Sequence, residues 1–202
     1  MNGKSAAWFK ISAVCGILTP IIAFTFIFLA IASFPEFSWT NNALSDLGVQ
    51  EGITAVLFNS GLIISGILAF VFAVGLVKFL SEQLLGRIGA LVFAIDTLML
   101  VAIGVFSENF GRIHYYVSVM FFALFPISIL IIFATLLHRG KVKTGLFTLL
   151  VAAIAAVAWI IQFTIKFGSN VAIPETISAL SASAWSIVLG FQMFQKASQP
   201  TQ

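Results

Sequence analysis

The chain alternates long, unbroken apolar runs with short polar intervals. Six runs reach the length of about 20 residues that a helix needs to cross a hydrocarbon core about 30 Å thick. They extend approximately over residues 8–34, 52–80, 87–106, 113–137, 144–167 and 174–194. None has the apolar–polar alternation of a barrel strand. Backbone inside lipid must satisfy its own hydrogen bonds, so each run predicts a helix. The intervals 81–86, 107–112, 138–143 and 168–173 are tight turns, and only 35–51 has room for structure of its own. Short connections favour antiparallel neighbours. The expected fold is all-α: a polytopic six-transmembrane-helix bundle forming a single membrane domain, 1–202.

Composition agrees. Apolar residues make up 60% of the chain, 22 residues are Phe, and mean hydropathy is +1.11. Charged residues are 8%, against about 25% in an ordinary globular domain. Too few charges exist to cover so much apolar surface, which excludes a soluble enzyme, a disordered chain and a disulfide-stapled module. The single Cys15 permits no intramolecular disulfide.

Charge adds orientation. Lys4, Lys10, Lys78, Arg87, Arg139, Lys141, Lys143 and Lys196 fall at the termini and even-numbered turns, and only Arg112 and Lys166 at the odd-numbered ones. By the excess of Lys and Arg in cytoplasmic segments, both termini are expected in the cytoplasm, and the protein in the plasma membrane. Glu36, Asp46, Glu51, Glu108 and Glu175 fall at the opposite, outer ends. The net charge of +3 is therefore a topology signal, and no nucleic-acid partner is expected. Lys4, Lys10 and the Ala30-Ile31-Ala32 triplet imitate a signal peptide. The apolar run is longer than such a peptide's core, so a retained helix is expected. The first and last three helices share no motif, which argues against a transporter built from two similar halves.

Polar groups within the spans are costly and are functional candidates by default. Asp96 lies nine residues beyond Arg87, about 13 Å along the third helix and near mid-membrane. It shares a face with Gly89, Ile103 and Ser107, with Gly104 at its edge, so that face should point into the bundle. A carboxyl group there must find donors or stay neutral. It carries a proton, binds a ligand, or fixes packing to a neighbouring helix. Asn59 is followed by Ser60, Gly61, Ser65 and Gly66, small residues that allow close helix approach, and Asp96 is its candidate partner. His114 opens the fourth helix beside Glu108 and Arg112, as an acid–base group or as an interfacial residue bonded to a headgroup or loop carbonyl. Trp159, Gln162 and Lys166 share a face of the fifth helix. Lys166 can snorkel to headgroups or pair with Glu175, whose Pro174-Glu175 setting suits the opening turn of a helix.

In the first long interval, Trp39 is an interfacial anchor, Ser45 and Asp46 can cap a short helix or close a turn, and Gly48 permits a positive dihedral. Asp46, Glu108, His114 and Glu175 all reach the outer side, so a polar mouth there is geometrically open to them. Two histidines on opposite sides exclude a three-histidine zinc site, and no phosphate loop, HExxH or GxSxG is present. No metal or cofactor is expected.

Leu44-Ser45-Asp46-Leu47-Gly48 and Phe58-Asn59-Ser60-Gly61 resemble the opening of the prokaryotic membrane family catalogued as domain of unknown function 998. Gly104-Val105-Phe106, Ile113-His114 and Phe121-Phe122 resemble its central signature, with Ser107 where that pattern has Pro. Ile173-Pro174-Glu175 with Trp185 fits its last helix. The chain is more distantly similar to small membrane proteins of the Frag1/DRAM/Sfk1 type. The resemblance implies six helices and that Asp46, Asn59 and His114 belong to one feature. It implies no activity, substrate or cofactor.

The leading expectation is a lipid- or isoprenoid-binding protein whose outer pocket is lined by Asp46, Asn59, Asp96 and His114. The alternatives are a small accessory subunit of a larger membrane complex, an enzyme acting on a lipid headgroup with His114 as base and Asp46 or Glu108 as its partner, and a proton-coupled carrier using Asp96. Membrane lipids, and in the second case other membrane subunits, are the expected partners.

Overall fold

The computed structural model describes residues 3–199, with side chains from residue 5 onward, so Lys4 of the charge pattern lies outside the described side chains. Six helices carry the chain: α1 (Gly3–Ala32), α2 (Ile53–Phe79), α3 (Leu84–Val105), α4 (Arg112–His138), α5 (Val142–Thr164) and α6 (Ala172–Ser198). Each is long and apolar enough to cross a membrane, and the described residues contain no strand.

The ends differ from the apolar runs for local reasons. α1 begins earlier and α6 runs on to Ser198 because helical hydrogen bonding continues through polar residues that hydropathy ignores. α5 stops at Thr164, where the backbone turns away: Lys166 takes a φ of 69°, the left-handed region that L side chains avoid. Ser107 takes a φ of −58°, the value that a proline ring imposes. The turn into α4 thus has a backbone that a proline at this position would also permit. It closes through a short 3₁₀ turn (Glu108–Phe110) and Gly111 at φ 54°.

Each helix packs on its sequence neighbours, and α1 closes the ring against α6. Glycines set the close approaches. A Cβ on Gly66 would come within 2.9 Å of the Val101 backbone nitrogen, and one on Gly104 within 2.7 Å of the Asn59 carbonyl oxygen. α2 and α3 therefore interlock reciprocally, as small residues at membrane interfaces do. Gly61 abuts Phe26 of α1 in the same way.

The two ends of the bundle are built differently. At the terminal end Lys10, Lys78 and Lys196 lie over the Phe194, Phe9 and Phe79 rings, and Arg139 pairs with Glu82 at 2.6 Å. Above this layer the core is solid. Trp185 is fully buried, with Phe72, Phe93 and Phe125 edge-on to it at 5.1–6.2 Å between centroids. Its indole N–H donates to Thr148 Oγ1 at 3.2 Å. The outward faces are apolar instead: Phe163 is 75% and Leu84 73% exposed, as a surface solvated by lipid tails requires.

Candidate functional site

The opposite end carries the longest loop and opens onto two cavities. The segment between α1 and α2 folds over this end as a lid. Asn42 organises it, its Oδ1 accepting from Ser38 N at 2.9 Å and its Nδ2 donating to Asp46 Oδ2 at 2.7 Å. Asp46 Oδ2 also accepts from Ala43 N at 3.0 Å. That closes the turn from which a short 3₁₀ stretch (Ser45–Val49) starts. Bonds to several elements fix the lid. Asn59 of α2 donates to the Gly48 carbonyl at 2.8 Å. Thr40 and Asn42 accept from the backbone of Asn170 and Ala172. Glu175 in the first turn of α6 accepts from Leu44 N at 2.6 Å.

Beneath the lid lies a groove of about 650 Å³, walled by α4, α5 and α6. Its mouth is polar. Ser45 Oγ donates to Glu108 Oε1 at 2.6 Å, and Glu175 and His114 complete the rim. His114 Nδ1 lies 2.7 Å from the Phe106 carbonyl, so that nitrogen carries the proton. In the neutral imidazole Nε2 then accepts from Ser118 Oγ, 3.3 Å away. Farther in, the walls become aromatic and apolar. Trp159 stacks on Phe163 at 5.7 Å, meets Phe122 at 4.8 Å and ties its N–H to Ser178 Oγ at 3.1 Å. Pro126 also faces the groove, and without an N–H it cannot close the helical bond to the Phe122 carbonyl. Tyr115 and Phe163, both well exposed, bring the wall out to the lipid-facing surface between α4 and α5.

A second, smaller cavity of about 130 Å³ occupies the bundle axis. It runs from Ser45 and Glu175 under the lid to Asp96 and Phe72 above the solid core. Phe121, Phe122 and Phe125 line both spaces and form the partition between them.

Among the four residues singled out from sequence, His114 lines the groove and Asp96 the axial cavity. Asp46 and Asn59 line neither and instead hold the lid. The anticipated Asn59–Asp96 pair does not form. Asn59 spends its N–H₂ on Gly48 of the lid, and Asp96 Oδ1 has no hydrogen-bond partner. The anticipated pairing of His114 with a carboxylate does not form either. Phe106 O and Ser118 take its ring nitrogens, while Glu108 and Asp46 accept from Ser45 and from Asn42 and Ala43. Gln162 seals the α5–α6 turn, accepting from Phe167 N and donating to the Asn170 carbonyl. Glu175, read from sequence as a helix-start acid, is the residue most central to the site. Its signal was the isolation of one carboxylate in a first turn made otherwise of Ala, Ile, Pro and Thr.

Over residues 17–192 the chain matches the family described as Protein of unknown function (DUF998). The chain belongs to the DUF998 family. The matched span contains the lid, the groove and the axial cavity, so the whole candidate site lies within the family domain. No match was found among curated proteins or among solved structures.

Proposed function

We propose that this DUF998 protein binds a membrane lipid or isoprenoid in the groove between α4 and α5, with the ligand's head at the Glu108–His114–Glu175 rim and its chain along Phe122, Pro126 and Trp159. The observation that carries the reading is the polarity gradient of one continuous space. Hydrogen-bonding groups stand at the loop end, aromatic and aliphatic walls follow, and the side reaches the lipid-facing surface. An amphiphile entering sideways from the bilayer matches all three features. Ligand sites are typically apolar clefts with a few convergent polar groups, and this groove lies within their usual size range. The basic terminal end and acidic loop end support an orientation with the groove mouth on the outer side of the membrane, which we take to be the plasma membrane.

The test is native mass spectrometry of the protein extracted gently from its own membrane. A defined extra mass is expected to survive activation in the wild type and to fall in His114→Ala. It is also expected to fall in Ala156→Phe, which fills the groove without touching the rim. Lipid occupancy that is unchanged in both variants would overturn the reading.

A further inference from the structure

The axial cavity holds a feature that the groove does not use. Asp96 is 1% exposed, its Oδ1 meets no hydrogen-bond donor, and the carboxyl borders the cavity. Among the described residues, no Lys, Arg or His lines that space. A buried carboxylate left this way is costly unless something else supplies the donors, and a neutral carboxyl would still leave Oδ1 without a partner.

The hydroxyls around it cannot. Six Ser and Thr residues line the cavity, and each spends its proton elsewhere. Thr19, Thr97, Ser183 and Ser186 donate to carbonyls of their own helices (Cys15, Ala94, Ala179 and Ser183) at 2.7–3.1 Å. Ser45 donates to Glu108, and Ser118 to His114 Nε2. What these groups still offer the cavity is lone pairs. The helical backbone N–H groups are committed to their own ladders. The cavity is thus an acceptor-only chamber with a carboxyl at its floor, a second carboxyl (Glu175) at its roof, and the Phe93, Phe121 and Phe125 rings in its walls.

We infer that the axial cavity is a binding site for a small protonated primary amine, with its ammonium at Asp96 and an apolar body against the phenyl rings. An ammonium is the one common organic group that brings three donors and no acceptor. It also brings the positive charge that a carboxylate in low dielectric lacks, and aromatic faces attract it further. The volume sets the size. A cavity of roughly 150 Å³ takes a benzene ring, so about 130 Å³ admits a body of five or six carbons. The site shares Ser45, Ser118, Glu175 and the Phe121–Phe122–Phe125 partition with the lipid groove, but Asp96 and Ala179 border the axial cavity and not the groove.

The test is equilibrium dialysis of radiolabelled n-pentylammonium against the intact protein in detergent, with protein-free micelles as the blank. Its isosteres 1-pentanol and pentanoate are run alongside. Saturable binding of the ammonium is expected, with the alcohol weaker by about tenfold or more, the difference that a charge-assisted bond confers, and pentanoate not bound. Asp96→Asn keeps the shape and removes the charge, and should abolish the preference for the ammonium. Ala179→Leu keeps Asp96 and fills the space, and should abolish binding altogether while leaving lipid occupancy of the groove intact. Equal binding of the three probes, an undiminished preference in Asp96→Asn, or no saturable binding because the cavity holds only water would each overturn the inference.

Discussion

Leu44 donates its backbone N–H to Glu175 Oε2 at 2.6 Å, across 131 residues of sequence. The bond ties the lid over the loop end to the first turn of α6, and it does so with a buried carboxyl that also faces both cavities. One side chain therefore closes the site and helps to line it.

Removing that acceptor should loosen the lid. Glu175→Ala is expected to cost about 1–3 kcal/mol, the penalty for a buried N–H left without a partner, while Glu175→Gln retains a carbonyl acceptor and costs less. Thermal unfolding in detergent measures the order, and hydrogen exchange at residues 43–49 should rise more in the Ala variant. Equal losses in the two variants would show that the bond is not what holds the lid.

The second lid anchor predicts a coupling. A Cβ on Gly48 would stand 2.6 Å from Asn59 Oδ1 and 3.2 Å from the Phe58 ring. Gly48→Ala should therefore destabilise by about 1–3 kcal/mol through overpacking. Asn59→Ala removes both the obstacle and the bond to the Gly48 carbonyl. The double variant should lose less than the sum of the singles, since contacting residues are not additive. Additive losses in the same unfolding measurement would argue that the two residues do not touch.

Aromatic residues divide into core and lipid-facing sets, and their truncation should divide with them. Trp185→Ala is expected to cost about 3–5 kcal/mol, because it empties the space between Phe72, Phe93 and Phe125 and removes the N–H that Thr148 accepts from. Phe28, which is 53% exposed, exchanges ring for lipid contacts when truncated, so Phe28→Ala should shift stability by less than about 0.5 kcal/mol. Chemical denaturation of the two variants checks the contrast.

Lys166 offers a gain. Its φ of 69° is strained for any residue with a Cβ, and the side chain is exposed. Lys166→Gly should stabilise by about 0.5–1 kcal/mol by relieving that conformation, and Lys166→Val should destabilise. A rise in unfolding temperature for Val as large as that for Gly would point to the lost charge instead of the backbone.

Much of this architecture was legible from sequence because its causes are local. A run of about 20 apolar residues can satisfy its backbone in lipid only as a helix. The number, order and approximate ends of the six helices therefore follow from the run pattern alone, and short turns make sequence neighbours pack. The small residues of α2 likewise announced a close approach, which Gly61 makes against Phe26 and Gly66 against Val101. Asp96 was placed on an inward face by its helical phase, and it is buried there.

The tertiary structure decided what each polar group does. Asn59 could equally have reached across to Asp96, and only the fold of the lid brings the Gly48 carbonyl within its reach. Asp46 became a turn-closing acceptor, His114 a ring held between a carbonyl and a hydroxyl, and Glu175 the clasp of the lid. A polar side chain carries its donors and acceptors in its chemistry, but its partner is fixed by contacts between segments far apart in the chain. Helix length is set by the solvent each run must match, whereas cavities and hydrogen-bond partners arise only once helix rotation and lid position are settled by packing.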